Sequence, residues 1–90
     1  MNAARRKRVE AASKAVSELV SALENLDTTI SDLADEEREA FDNMPEGLQS
    51  SDAGEAADQA AEQLEAARDA LQSAVESLGE CVVALDEGAV

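Results

Sequence analysis

The sequence predicts an all-α protein, a long antiparallel helical hairpin of coiled-coil type that dimerises into a four-helix bundle. Three observations carry this expectation. Apolar residues recur in a 3,4 alternation through both halves of the chain. The only Pro and the only Phe sit together between those halves, in FDNMPEGLQSS. Ninety residues with 44% hydrophobic but 1% aromatic content offer little with which to fill a compact core. A single Cys and no His remove disulfides and metal as substitutes for one.

The first helix is expected over about residues 4–43. Val9, Ala12, Val16, Leu19, Leu23, Leu26, Ile30 and Leu33 form an unbroken heptad seam. Beyond Leu33 the strict repeat would place Glu37 in the seam. Ala34, Phe41 and Met44 instead continue the apolar stripe on adjacent positions, as a helix drifting toward its own 3.6-residue period would have it. Met44 precedes Pro45, which disfavours helical geometry, so the helix should stop near Asn43. A turn follows over about 44–51, with Pro45 and Gly47 suited to positions i+1 and i+3 of a type I turn. Asp52 with Glu55 reads as a capping-box variant that restarts a helix, and Ser51 is a competing N-cap. Phe41, Met44 and Leu48 are expected to plug the open end of the hairpin.

The second helix is expected over about 52–87. Its seam reads Ala57, Ala60, Leu64, Ala67, Leu71, Ala74, Leu78, Cys81 and Leu85, with small residues alternating with Leu. Small side chains at every second seam position let a neighbouring helix approach closely. Val20, Ala34 and Phe41 lie one position beyond the first seam, and Val75 and Val82 one beyond the second. Stripes this wide need more than one partner helix, and twofold association of hairpins is the simplest closed solution. The self-association seam expected on α-helix one comprises Val16, Leu19, Val20, Leu23, Leu26, Ile30 and Leu33. On the second it comprises Leu64, Leu71, Val75, Leu78, Val82 and Leu85.

Formal charge is −14 and unevenly spread. Residues 1–14 hold five cations (Arg5, Arg6, Lys7, Arg8, Lys14) against Glu10, net +4. Asp32 to Asp58 holds ten acids against Arg38, net −9. A hairpin gathers that acidic segment at its turn and sets the Arg cluster near Asp86 and Glu87, where it is expected to pair with them or with acids of a partner subunit. Eleven helical residues rise about 16 Å, so the tip carries roughly one negative charge per 2 Å, close to the one per about 1.7 Å of duplex DNA. The tip is therefore the candidate docking surface for a protein with a basic groove. Its residues are Asp35, Glu36, Glu39, Phe41, Asp42 and Asn43, followed by Met44, Pro45, Glu46, Leu48, Asp52 and Glu55. The same acids would also serve simply to keep an Ala-rich rod in solution.

No catalytic constellation is expected. The chain has no His, no Tyr and no Gly-rich phosphate loop, and Cys81 falls in the seam between Leu78 and Leu85, a packing position with no base to activate a thiol. The acids lack the alternating ligands of a calcium loop, so no metal and no other cofactor is expected. The Arg cluster lacks aromatic neighbours and direct nucleic-acid binding is not expected. No apolar run approaches a membrane span and no signal segment follows the basic start, so the expected location is the cytoplasm.

The segment Asp35 to Leu71, DEEREAFDNMPEGLQSSDAGEAADQAAEQLEAARDAL, resembles a motif of small acidic helical proteins of bacteriophages and prophages. In that motif an acidic helix runs into FDNMPE-LQ-S and then into an Ala, Leu and Glu helix. The resemblance implies phage origin, a helical hairpin and residence in the cytoplasm of a bacterial host, and brings no activity or site residues with it. Small acidic phage proteins often bind host machinery. Three functions follow as expectations: an oligomeric interaction module that docks a partner through its tip, an inhibitor that mimics nucleic acid toward a host or defence protein, and an oligomeric sponge for a nucleotide signal.

Overall fold

The computed structural model describes all 90 residues, Met1–Val90. Secondary structure is entirely helical: α1 spans Ala3–Asp42, α2 Glu46–Gln49 and α3 Asp52–Gly88. The chain packs as two compact units, one of residues Met1–Asn25 with Gln72–Val90 and the other of Leu26–Leu71. No helix is long and apolar enough to cross a membrane.

α1 begins at Asn2, whose side-chain oxygen accepts a hydrogen bond from the Arg5 amide at 2.7 Å and so satisfies one of the free donors of the first turn. Its 40 residues contain neither Gly nor Pro. α3 begins at Ser51, whose hydroxyl accepts from the Gly54 amide at 3.2 Å while its carbonyl accepts from Glu55 at 2.8 Å. The capping box expected at Asp52 and Glu55 does not form: the competing Ser51 is the N-cap, and Asp52 occupies the first helical position, where its charge favours the positive end of the helix dipole.

In the unit of residues 1–25 and 72–90, the half-buried positions of α1 are Val9, Val16, Val20 and Leu23, and Ser13 is buried among them. Those of α3 are Val75, Leu78, Gly79, Val82 and Leu85, with Ala89 just past its end. The Ser13 hydroxyl donates to Asp86 Oδ1 at 2.5 Å, which satisfies the one buried polar side chain.

The unit of residues 26–71 is a helical hairpin closed by α2. Ile30, Ala34, Phe41 and Met44 are covered on one side, and Gly54, Ala57, Ala61, Leu64 and Leu71 on the other. Ala34 and Ala61 are the only fully buried apolar residues of the chain, and no large side chain is fully buried anywhere. Small residues at these two positions let the helices approach.

Coverage in both units follows a seam different from the expected one. With Val9 as position a on α1 and Ala57 as position a on α3, the expected seam used a and d. The covered positions are a and e: Val16, Val20, Leu23, Ile30, Ala34 and Phe41 on α1, with Ala61, Leu64, Leu71, Val75, Leu78, Val82 and Leu85 on α3. Apart from half-buried Ala60, the d positions face solvent, with Leu19, Leu26 and Leu33 at 50%, 51% and 46% exposure and Ala67, Ala74 and Cys81 exposed as well. Cys81 is therefore not a core residue. On α3, choosing e over d covers Val75 and Val82 in place of Ala74 and Cys81, a gain in apolar burial. On α1 the choice runs the other way in area, and Phe41 accounts for it: rotating to the d stripe would bury Ala40 and expose the chain's one aromatic ring.

Candidate functional site

The tip is built from backbone hydrogen bonds at the end of α1. The Asn43 amide reaches Glu39 O at 2.9 Å and the Met44 amide reaches Phe41 O at 3.1 Å, tightening the last turn. Pro45, at φ −54° and ψ 143°, then carries the chain out of the helix. Position i+1 of a type I turn requires ψ near −30°, so the expected type I turn does not form. Pro45 instead starts a four-residue helix, its carbonyl accepting from Leu48 at 2.8 Å and Gln49 at 3.1 Å. Every residue keeps an ordinary backbone conformation, with no positive φ.

Side chains then lock this arrangement. Gln49 Nε2 donates to Phe41 O at 3.1 Å, tying α2 to the end of α1. The Ser51 hydroxyl donates to Leu48 O, and the Ser51 amide reaches the same oxygen at 3.1 Å. Gly54, buried at the start of α3, lies directly under the carbonyls of Leu48 and Gln49, leaving no room for a Cβ. Arg38 bridges the two long helices, with Nη1 to Asp58 Oδ1 at 2.7 Å and Nε to Glu65 Oε1 at 3.0 Å. Its guanidinium also lies 5.6 Å from the centre of the Phe41 ring. Donating hydrogen bonds to Asp58 and then to Glu65 raises the Arg38 pKa further above its ordinary value, so it stays charged at every pH the fold meets.

What this scaffold presents is negative charge. Asp35, Glu36, Glu39, Asp42, Glu46, Asp52 and Glu55 are all exposed, and none of them pairs with Arg38, which is held by Asp58 and Glu65, or with Arg68, which meets Asp69. Asn43 and Pro45 are exposed beside them. Phe41 and Met44 are half-buried, whereas Leu48 is 55% exposed and so belongs to the outer surface instead of the expected plug. Arg38→Met is expected to lower the thermal unfolding midpoint in low salt, with a smaller difference near 1 M NaCl, because half-exposed ion pairs are screened. Circular dichroism melts at the two salt concentrations check this.

The other unit holds the basic cluster. An open hollow of about 340 Å³ is lined by Arg5, Arg8, Val9, Ala12 and Leu85. The expected pairing of Arg5–Arg8 with Asp86 and Glu87 does not occur: no ion pair joins them, and Asp86 takes the Ser13 hydroxyl instead. These cations also sit in the first turns of α1, which has no acid there, at the end of the helix dipole that repels positive charge. No group of three or more Cys, Asp or Glu side chains is arranged to hold a metal ion.

No protein-family model, curated protein or solved structure matches the chain.

Proposed function

We propose that the chain is a non-enzymatic interaction module, a self-associating acidic helical hairpin that docks a protein partner through its tip. One observation carries the reading. Three independent locks (Arg38 between the helices, Gln49 on Phe41, and Gly54 beneath α2) hold a turn whose seven exposed acids have no ion-pair partners within the chain. Acids serving only to keep the rod dissolved do not need a fixed platform, whereas a docking surface gains affinity from one because less conformational entropy is lost on binding. Exposed Leu48 supplies an apolar anchor amid the charge. The partner chemistry this surface fits is a basic groove.

A nucleic-acid-binding protein of a phage host is the partner class we favour, since the tip's charge density approaches that of duplex DNA and the resemblance to small acidic phage proteins points the same way. A nucleotide sponge draws less support: the hollow at Arg5 and Arg8 has cations and apolar walls but no side-chain amide or hydroxyl with which to read a base. The test is a triple neutralised variant, Asp42→Asn, Glu46→Gln and Asp52→Asn. It is expected to keep the helicity and stability of the parent, because exposed charges contribute little to folding, and to lose capture of a basic-groove protein from host extract. Unchanged capture by the folded variant would remove the tip from the interface. A steep loss of parent binding between low and moderate salt would favour the nucleic-acid mimic over a docking mode led by Leu48.

A further inference from the structure

We infer that the hollow lined by Arg5 and Arg8 seats the acidic tip of a second copy of this chain, with Leu48 against its apolar walls. The inference rests on the tip being a docking surface, as proposed above, and names one basic groove that it fits.

Each surface is built within its own unit and lacks what the other carries. The hollow belongs to the unit of residues 1–25 and 72–90, where Val9, Ala12 and Leu85 form apolar walls beside the cations Arg5 and Arg8. Neither arginine forms an ion pair within the chain. Residues 1–14 carry net +4, and counting in Asp86 and Glu87, which follow Leu85, leaves +2. The positive end of the α1 dipole adds to that field, so an anion placed here is favoured by both. The tip is the complement. Residues 42–55 hold Asp42, Glu46, Asp52 and Glu55 and no cation, net −4, and none of these acids is ion-paired within the chain. Among them Leu48 is 55% exposed on α2, which Gln49 and Gly54 hold in place.

Form and charge together select the occupant. A hollow of about 340 Å³ lies at the small end of small-molecule pockets, about 300–1,000 Å³, which bury most of their ligand. An open hollow of this size suits one protruding apolar side chain with anions around it, and that is what the tip presents. Opposite charges steer the approach, while Leu48 leaving water against Val9, Ala12 and Leu85 adds attraction that salt does not screen. Arg5 and Arg8 are unpaired within their own chain, so the acids that meet them come from outside it, and each further copy brings a tip.

Unlike surfaces give the contact a signature in mixtures. Two full-length variants test it, one with the tip neutralised (Asp42→Asn, Glu46→Gln, Asp52→Asn) and one with the hollow neutralised (Arg5→Gln, Arg8→Gln). Gln is a good helix former, and removing cations from the first turns of α1 relieves the dipole, so the second variant keeps its helicity, which circular dichroism verifies. In sedimentation velocity at micromolar concentration and low salt the parent is expected to self-associate, and each variant alone to do so about tenfold more weakly. An equimolar mixture should recover a one-to-one complex, because one variant keeps the hollow and the other the tip. Leu48→Ser should weaken association of the parent at low and high salt alike. Hollow-neutralised protein that associates as strongly as the parent, or a mixture that recovers no complex, overturns the inference. The tip reading is separable, because the hollow-neutralised variant has an intact tip and should still capture a basic-groove protein. A parent that is monomeric under these conditions overturns the inference and self-association together.

Discussion

Gly54→Ala should destabilise the protein by about 2 kcal/mol, a result opposite in sign to the usual one. Within a helix, replacing Gly with Ala normally stabilises by about 1 kcal/mol, because Gly has more backbone entropy to lose. Here the new methyl would collide with the carbonyl oxygens of Leu48 and Gln49. Leu48 O cannot easily retreat, since it accepts from both the amide and the hydroxyl of Ser51. Overpacking of this kind costs about 1–3 kcal/mol, and here it falls on the contact that seats α2. Gly79→Ala is the control, because nothing lies within 4 Å of its Cβ and it sits in the interior of α3. It should stabilise by up to about 1 kcal/mol. Urea denaturation of the two variants beside the parent checks both signs. A Gly54→Ala protein as stable as the parent would mean that α2 is not seated on α3 as described.

Ala61→Leu should cost at least as much, about 2–3 kcal/mol, and loosen the unit of residues 26–71. Ala61 is fully buried, and Ala34 is the other fully buried apolar residue of the same unit. Three added carbons have no space there, so the helices must separate or the side chain must leave its preferred rotamers. Ala67→Leu is the informative partner. Under the a and d seam expected from the sequence, position 67 is inside and the same enlargement would be harmful. In the structure Ala67 is exposed, so Leu there should leave the unfolding midpoint within about 0.5 kcal/mol of the parent. Thermal and urea melts of the pair decide which stripe of α3 the first helix covers. Equal damage at 61 and 67 would contradict the a and e assignment.

Partner capture by the tip depends on these folding results in a definite order. Loss of capture on neutralising Asp42, Glu46 and Asp52 bears on the tip only while the parent seating of α2 is intact. The Gly54 variant therefore doubles as a probe of function: displacing α2 while leaving every acid in place should weaken capture if the acids must be fixed, and should not if charge alone suffices.

Helical character was legible in the sequence because it is local. Heptad spacing, a 40-residue stretch free of Gly and Pro, and a helix restart at Ser51 or Asp52 are each decided by neighbours within a few positions. Pro45 marked the end of α1 for the same reason. Acidic segment and basic cluster were likewise readable from residue types alone. Rotation of each helix about its own axis was not. Positions d and e are both apolar at several heptads, so the sequence offers two adjacent stripes of similar hydrophobicity, and choosing between them takes contacts from outside the helix. Arg38 on Asp58 and Glu65, and Ser13 on Asp86, make that choice, through side-chain hydrogen bonds between residues 20, 27 and 73 positions apart. Leu19, Leu26 and Leu33 were turned outward as a consequence, and Arg5–Arg8 were left without the acids the sequence seemed to bring beside them. A one-dimensional repeat specifies which residues share a face. Only packing in three dimensions, where volume, hydrogen-bond satisfaction and charge must all be met at once, decides which of two neighbouring faces is covered.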